Sequence, residues 1–214
     1  MYEKESIDYK GMTIKVCYDE NPDSPREWDN LGTIYSNHRD YNLDKHKIDE
    51  LMEEDGHLHT DELDKHFIWL PVYAYIHSGI TVSTGHGYPY NDRWDSGLFG
   101  IIAVSKERVR KEYGWKKITD ERRKKIEGYL KGEIETLDDY FTGNVYGYLA
   151  EDADGNLVGS CHGFYGDEGL KSAIEYAKDD IDCELRRRLS SHLAKRKAQI
   201  KSHAPFYART AFAF

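Results

Sequence analysis

The chain has 214 residues, of which 39% are hydrophobic and 32% charged, and a net charge of -9. A chain of this length buries a core without disulfide or metal staples. Its 17 Tyr, 7 Phe and 4 Trp exclude the aromatic-poor composition of a disordered protein.

Cys17, Cys161 and Cys183 are the only cysteines. They form no pairing pattern, which points to reduced thiols and a cytoplasmic location. The N-terminal MYEKESIDYKGM has no apolar core, so no signal peptide is expected. No apolar run approaches a membrane span. Charge comes in blocks. Residues 1–105 carry 9 basic and 20 acidic side chains, 106–131 carry 11 and 5, 132–181 carry 2 and 12, and 182–214 carry 8 and 2. Blocks of this kind are either interaction surfaces or solvated faces.

Met12 to Tyr18 alternates Met12, Ile14 and Val16 with polar residues, the period of a strand with one buried face. ENPDSPREWDNLGT reads as a loop. Asp44 is expected to cap a short helix from Lys45 to Glu54, with Ile48, Leu51 and Met52 on one face. After Asp55-Gly56, Thr60 is a plausible N-cap, with Asp61 and Glu62 in the first turn. Phe67 to His77 is the clearest strand. Ile68, Leu70, Val72, Ala74 and Ile76 line one face, and Phe67, Trp69, Tyr73, Tyr75 and His77 the other. Both faces should therefore be covered, with a bulge or local edge at Pro71.

Ile80 to Ser83 alternates again, Gly85 to Arg93 is a loop, and Leu98 to Val104 is a third strand. Ser105 caps a basic helix, Lys106 to Tyr113, which Gly114 ends. Thr119 caps a helix to Leu130. Lys131-Gly132 should break it, and a short acidic helix from Ile134 to Phe141 should follow. Val145 to Glu151 and Leu157 to Phe164 are strands joined by DADGN. From Glu168, residues Leu170, Ala173, Ile174, Ala177, Ile181, Leu185, Leu189 and Leu193 keep helical spacing over about eight turns. The fold class expected is α+β, a mainly antiparallel sheet flanked by helices with a long C-terminal helix. The domain division expected is a 1–166 core, with residues 167–214, the helix and its aromatic tail, packed on or extending from it.

Several chemistries lack their signatures. There is no G-x-x-x-x-G-K-[ST], H-E-x-x-H, C-x-x-C or G-x-S-x-G, and no P-C-x-x-C of a deaminase. What remains are clusters of histidine and carboxylate. Asp29, His77, His86 and Asp95 fall on three loops, and a histidine with two carboxylates would suit zinc, manganese or iron, against the plainer reading in which Asp29 and Asp95 cap turns and His77 is a core histidine; zinc is the expected ion. His57-x-His59-x-Asp61 also has a ligand spacing, against the plainer reading of an exposed polar loop. In DADGN the glycine is fourth, whereas an EF-hand needs it sixth, so an ordinary hairpin is expected. Cys161 and His162 are adjacent on a strand and point apart, so Cys161 is expected to be a buried structural thiol. The basic stretches 106–131 and 186–201 could meet nucleic acid. A dedicated nucleic-acid domain is usually basic overall, and this chain is acidic, so direct binding is not expected. The acidic blocks suit the converse, docking on a basic protein surface.

The strings PREWDNLGT (25–33), LPVYAYIHSGITVST (70–84), RWDSGLFGIIAVSKERVRKEYG (93–114), LKGEIETLDDYFTGNVYGY (130–148) and SCHGFYG (160–166) resemble an uncharacterised protein family of bacteriophages, prophages and other mobile elements. The resemblance spans most of residues 20–170, with the motifs in order. The family form has an acidic residue before His-Ser-Gly and Trp after Ser-Cys. Here those positions are Ile76 and His162, which removes any site that needs an acid at 76. The resemblance implies a host-cell cytoplasmic setting. Small acidic proteins of mobile elements are often accessory factors that disarm host defences, including anti-CRISPR proteins that bind a Cas effector. The expected function is therefore inhibition of a host defence nuclease by binding, with exposed tyrosines as anchors. The alternative is a metal-dependent hydrolase or nuclease using Asp29, His77 and Asp95.

Overall fold

The computed structural model describes residues 2–52, 58–85, 88–91 and 94–203. In chain order the elements are β1 (Glu3–Tyr9), β2 (Met12–Tyr18), β3 (Thr33–Tyr35), α1 (Thr60–His66), β4 (Phe67–Ile76) and β5 (Ile80–Thr84). They continue with β6 (Ser96–Ser105), α2 (Lys106–Tyr113), α3 (Asp120–Thr142), β7 (Val145–Glu151), β8 (Leu157–Tyr165) and α4 (Gly166–His203). Two antiparallel four-stranded sheets and these helices make an α+β fold.

The chain builds two compact units, Met1–Glu20 with Tyr146–Phe214, and Asn21–Val145. This differs from the linear division at 166 read in the sequence. The second unit is an insertion between β2 and β7. Tyr18 and Tyr146 are register partners in that ladder, so the chain leaves and re-enters the first unit at neighbouring points. Close termini of this kind let one domain be inserted into another.

The first unit has strand order β1-β2-β7-β8. β1 is a strand that periodicity does not reveal. Its sequence, EKESIDY, is largely exposed, as suits an edge strand, where charge discourages pairing with another chain. Lys10 and Gly11 turn it into β2 with φ of 51° and 78°, the positive values that a two-residue hairpin favours. Ile14, Val16, Tyr146, Tyr148 and Ala150 bury one face against Ala173, Ala177 and Ile181 of α4. The alanines let the helix approach the sheet closely. The helical spacing of residues 170–185 is thus the packing stripe.

The second unit has strand order β3-β6-β4-β5. The inner face of β4 (Ile68, Leu70, Val72, Ala74) packs with Ile126, Leu130, Ile134 and Leu137 of α3. The opposite face at Phe67 and Trp69 is covered by Leu51, Leu58 and Leu63. The inner face is buried as the sequence pattern requires, whereas the outer face from Phe67 to Tyr75 is only half-buried. Pro71 lies one residue outside the β5 ladder, which begins at Val72, and a register shift against β6 follows between Val72 and Tyr73. Local edge and bulge both occur there.

Two expectations fail here. α3 is one helix of 23 residues that passes straight through Gly132. The burial of Ile134 and Leu137, in line with Ile126 and Leu130, outweighs the roughly 1 kcal/mol that a helical glycine costs. Only a 3-10 turn, Ile48–Leu51, stands in the expected 45–54 helix; residues 53–57 lie outside those described. β3 was hidden in the loop sequence. It pairs with β6 at Thr33, Ile34 and Tyr35, and Gly100 permits this because a Cβ there would collide with the Tyr35 carbonyl.

Candidate functional site

Antiparallel pairing sets the end of β4 beside the start of β6. Ile76 donates its N–H to the Asp95 carbonyl at 2.7 Å, and His77 Nδ1 lies 3.0 Å from Asp95 Oδ2. Both side chains reach solvent, 70% and 39% exposed. Two of the four expected metal ligands are therefore neighbours. His86 lies outside the described residues. Asp29 stands 3.9 Å from Arg108, just past the opposite end of β6. That strand has ten residues and is about 33 Å long at the usual rise, so Asp29 does not join the pair. The separation has a simple cause: β6 carries the chain away from Asp95 before it reaches the residues that hold the 25–33 loop. His and Asp together supply two ligands of the four a structural zinc takes. Among the described residues no group of three His, Cys, Asp or Glu is placed to hold a metal. Of the His57, His59 and Asp61 set, His57 lies outside the described residues and His59 is the N-cap residue of α1.

Around the His77–Asp95 corner the outer face of the sheet is aromatic. Alternation along β4 turns Tyr73, Tyr75 and then His77 outward. The returning loop lays Tyr88 edge-on to Tyr73 at 5.2 Å and Tyr90 near Tyr75 at 6.0 Å between centroids. Tyr88 shares a hydrogen bond with Ser96, and the Tyr90 hydroxyl donates to the Thr81 carbonyl. Burial pushes the Tyr90 phenol above its ordinary pKa. At the rim Trp94 is 96% exposed and Leu98 60%. A cleft of about 290 Å³ opens beside them, lined by His38, Ile76, Trp94, Asp95, Leu98 and Phe99. Large rigid aromatics with polar tips are the residues that anchor protein interfaces. The sequence showed the tyrosines but not the exposure of Trp94.

The PREWDNLGT segment has an architectural role. Arg26 donates to both oxygens of Asp44, to Glu133 and to the Gly32 carbonyl, at 2.7 to 2.9 Å. Its side chain is 4% exposed, and those of Asp44 and Glu133 are 9% and 15%. Glu133 also accepts the Leu31 and Gly32 N–H groups, and Asp44 accepts that of Ile34. Burial works against the Arg26 charge, but Asp44 and Glu133 outweigh it and raise its pKa. Sequence reasoning missed Arg26 and Glu133. They are 107 positions apart, and no local pattern links them.

Other candidates resolve similarly. In DADGN, Asp152 accepts from the Asp154 and Asn156 N–H groups and from Arg188. The Arg188 guanidinium, then the Asn156 amide, hold its carboxyl down at about 2. The loop is an ordinary hairpin. Cys161 is exposed, not buried as expected, whereas Cys17 is the buried thiol; β8 is an edge strand. His162 lies against Gly147, where any Cβ would collide with its ring. At the α2–α3 junction Tyr113 stacks on Trp115 at 4.7 Å, Arg122 covers Trp115, and Lys125 lies over Tyr129. Among the described residues no helix is long and apolar enough to cross a membrane. Compared with known proteins, the chain matches no family model, no curated protein and no solved structure.

Proposed function

We propose that this protein acts by binding another protein, as a mobile-element accessory factor that inhibits a host defence nuclease, with a Cas effector as the first target to test. The observation that carries the reading is the aromatic outer face of β4 to β6. Trp94 at 96% exposure, Leu98 at 60% and Tyr88 at 45% are open to solvent there, in a chain of net charge -9. Exposed tryptophan and tyrosine are residue types enriched in interface hot spots, and an acidic body is drawn to the basic groove of a nucleic-acid-handling enzyme. The sequence resemblance supplies the biological context.

The test is a pull-down from a host with its native defence systems, followed by DNA-cleavage assays with the captured nuclease. Wild-type protein should block cleavage, and the block should weaken as salt rises. Trp94→Ala should weaken binding by about thirtyfold, the scale of a 2 kcal/mol hot spot. If no defence protein is captured, or if Trp94→Ala inhibits as well as wild type, the reading fails.

The metal-hydrolase alternative keeps one supporting observation, the 3.0 Å contact of His77 with Asp95. Bound metal lost in Asp95→Ala together with a hydrolytic activity would establish it in place of the inhibitor.

A further inference from the structure

α4 changes character at Leu185. Up to that point it packs on the sheet, through Ala173, Ala177 and Ile181, with Leu170, Ile174 and Leu185 partly buried. Every residue from 186 to 203 is exposed. This stretch of about five turns extends about 27 Å at the helical rise. It contains Arg186 to Arg188, Lys195, Arg196, Lys197 and Lys201, and no Asp or Glu. Arg187 and Arg188 are tied to Glu184, and Arg188 also to Asp152. Arg186 Nε donates to the Asp182 carbonyl. The remaining four cations lie further out, past any carboxylate in the helix sequence.

The distribution of charge around the helix narrows the kind of partner. Successive residues of an α-helix are about 100° apart. Lys195, Arg196 and Lys197 therefore cover more than half of the circumference, and Lys201 falls near Lys197. Leu189, Leu193 and Ile200, each at least half exposed, fall in a stripe only about 40° wide on the same geometry. A helix lying on a membrane needs a broad apolar face opposite its charges, and this one has cations on nearly all sides. A flat acidic surface would meet one side and leave the others in water. The major groove of a duplex is about 12 Å wide, admits a helix, and is walled by phosphates on both sides. A duplex presents one negative charge per roughly 1.7 Å of its axis, which is ample for a cationic segment of this length.

We propose that residues 186–203 of α4 form a nucleic-acid-binding arm that lies in the major groove of duplex DNA and holds it through the phosphates. The arm reads no particular sequence, because its contacts are lysine and arginine to phosphate. This inference reverses the expectation from overall charge. Net charge averages over the chain, whereas a phosphate meets only the local arm. The acidic residues Asp167, Glu168, Glu175, Asp179 and Asp180 sit in the other half of the helix. They repel the duplex from the sheet-packed half and confine it to the arm. The proposal does not depend on the protein-binding reading above.

The test is fluorescence anisotropy of the full chain with a labelled 24-base-pair duplex. Three chains are compared: wild type, a variant with Lys195→Glu, Arg196→Glu, Lys197→Glu and Lys201→Glu, and a variant with Leu189→Ala and Leu193→Ala. Circular dichroism checks that each retains the wild-type fold; the substituted positions are all exposed. Wild type should bind scrambled duplexes alike, with log affinity falling against log salt at a slope of about -4 to -6. The fourfold charge reversal should abolish binding, and the leucine variant should bind as wild type does. The proposal is overturned if wild type gives no anisotropy change at low salt, if the charge-reversed chain binds as wild type does, or if the leucine variant loses binding. Vesicles containing anionic lipid serve as the competing arm. Binding to vesicles without binding to DNA also overturns it.

Discussion

Arg26 shows what a single buried charge does here. Its guanidinium is held by two carboxylates and a carbonyl, with almost none of it in water. A buried ion pair adds little over a well-packed apolar substitute, but removing one partner strands the others without compensation. Arg26→Met should therefore cost about 3 to 5 kcal/mol, because Asp44 and Glu133 stay enclosed without the cation that compensates them. Urea unfolding of the two chains measures it. A loss below about 1 kcal/mol would mean that water solvates the carboxylates and that the network does not hold the loop. The segment nearest to a recognisable sequence motif thus owes its pattern to folding. Pro25 is buried at the start of its 3-10 turn. Gly32 has no room for a side chain between Leu130 and Ile102.

At the scale of elements, α3 is the informative case. Gly128 and Gly132 both lie inside it, and a Cβ added at either meets no atom within 4 Å. Their cost is the flexibility they give the unfolded chain, about 0.5 to 1 kcal/mol each relative to alanine. Gly132→Ala should raise stability by that amount, read as an increased denaturation midpoint at an unchanged urea slope. A destabilised variant would show that the glycine serves a close approach. The helical character of residues 119–130 and 134–141 was legible in the sequence. Its continuity through Gly132 was not, because a glycine is a local signal and the burial that overrides it comes from β4 and β5, about fifty to sixty-five positions earlier. β1 and β3 were missed for a related reason. Their residues carry weak alternation, and pairing with β2 and β6 supplies their order. The reverse holds for β4, whose alternation described its buried inner face, Ile68, Leu70, Val72 and Ala74.

At the scale of the molecule, each unit has its own apolar cluster. One is built on Ile14, Val16 and Ile181, the other on Ile68, Ile102 and Leu130. A unit that closes its own core can fold alone. Residues 21–145 expressed as a separate chain should thus unfold cooperatively, with the helix content expected of α1 to α3. Differential scanning calorimetry and circular dichroism check this. A chain that is unstructured on its own would mean that the core is completed from outside the segment.

By itself the sequence determined the α+β class, β2 and β4 to β8 within a few residues, the capped starts of α2 and α3, and the long C-terminal helix. Each of these is written in nearest-neighbour chemistry: alternation, helical spacing, a capping hydroxyl, a glycine stop. Only the tertiary structure decided the rest. It inserted one unit between β2 and β7, drew Arg26 to Glu133, brought His77 to Asp95 while leaving Asp29 at the far end of β6, and left residues 186–203 without a sheet to cover. The physical reason is the same in each case. Contacts between distant residues are selected by which surfaces bury and which charges find partners once the chain is compact, and that selection leaves no periodic trace in the order of the residues.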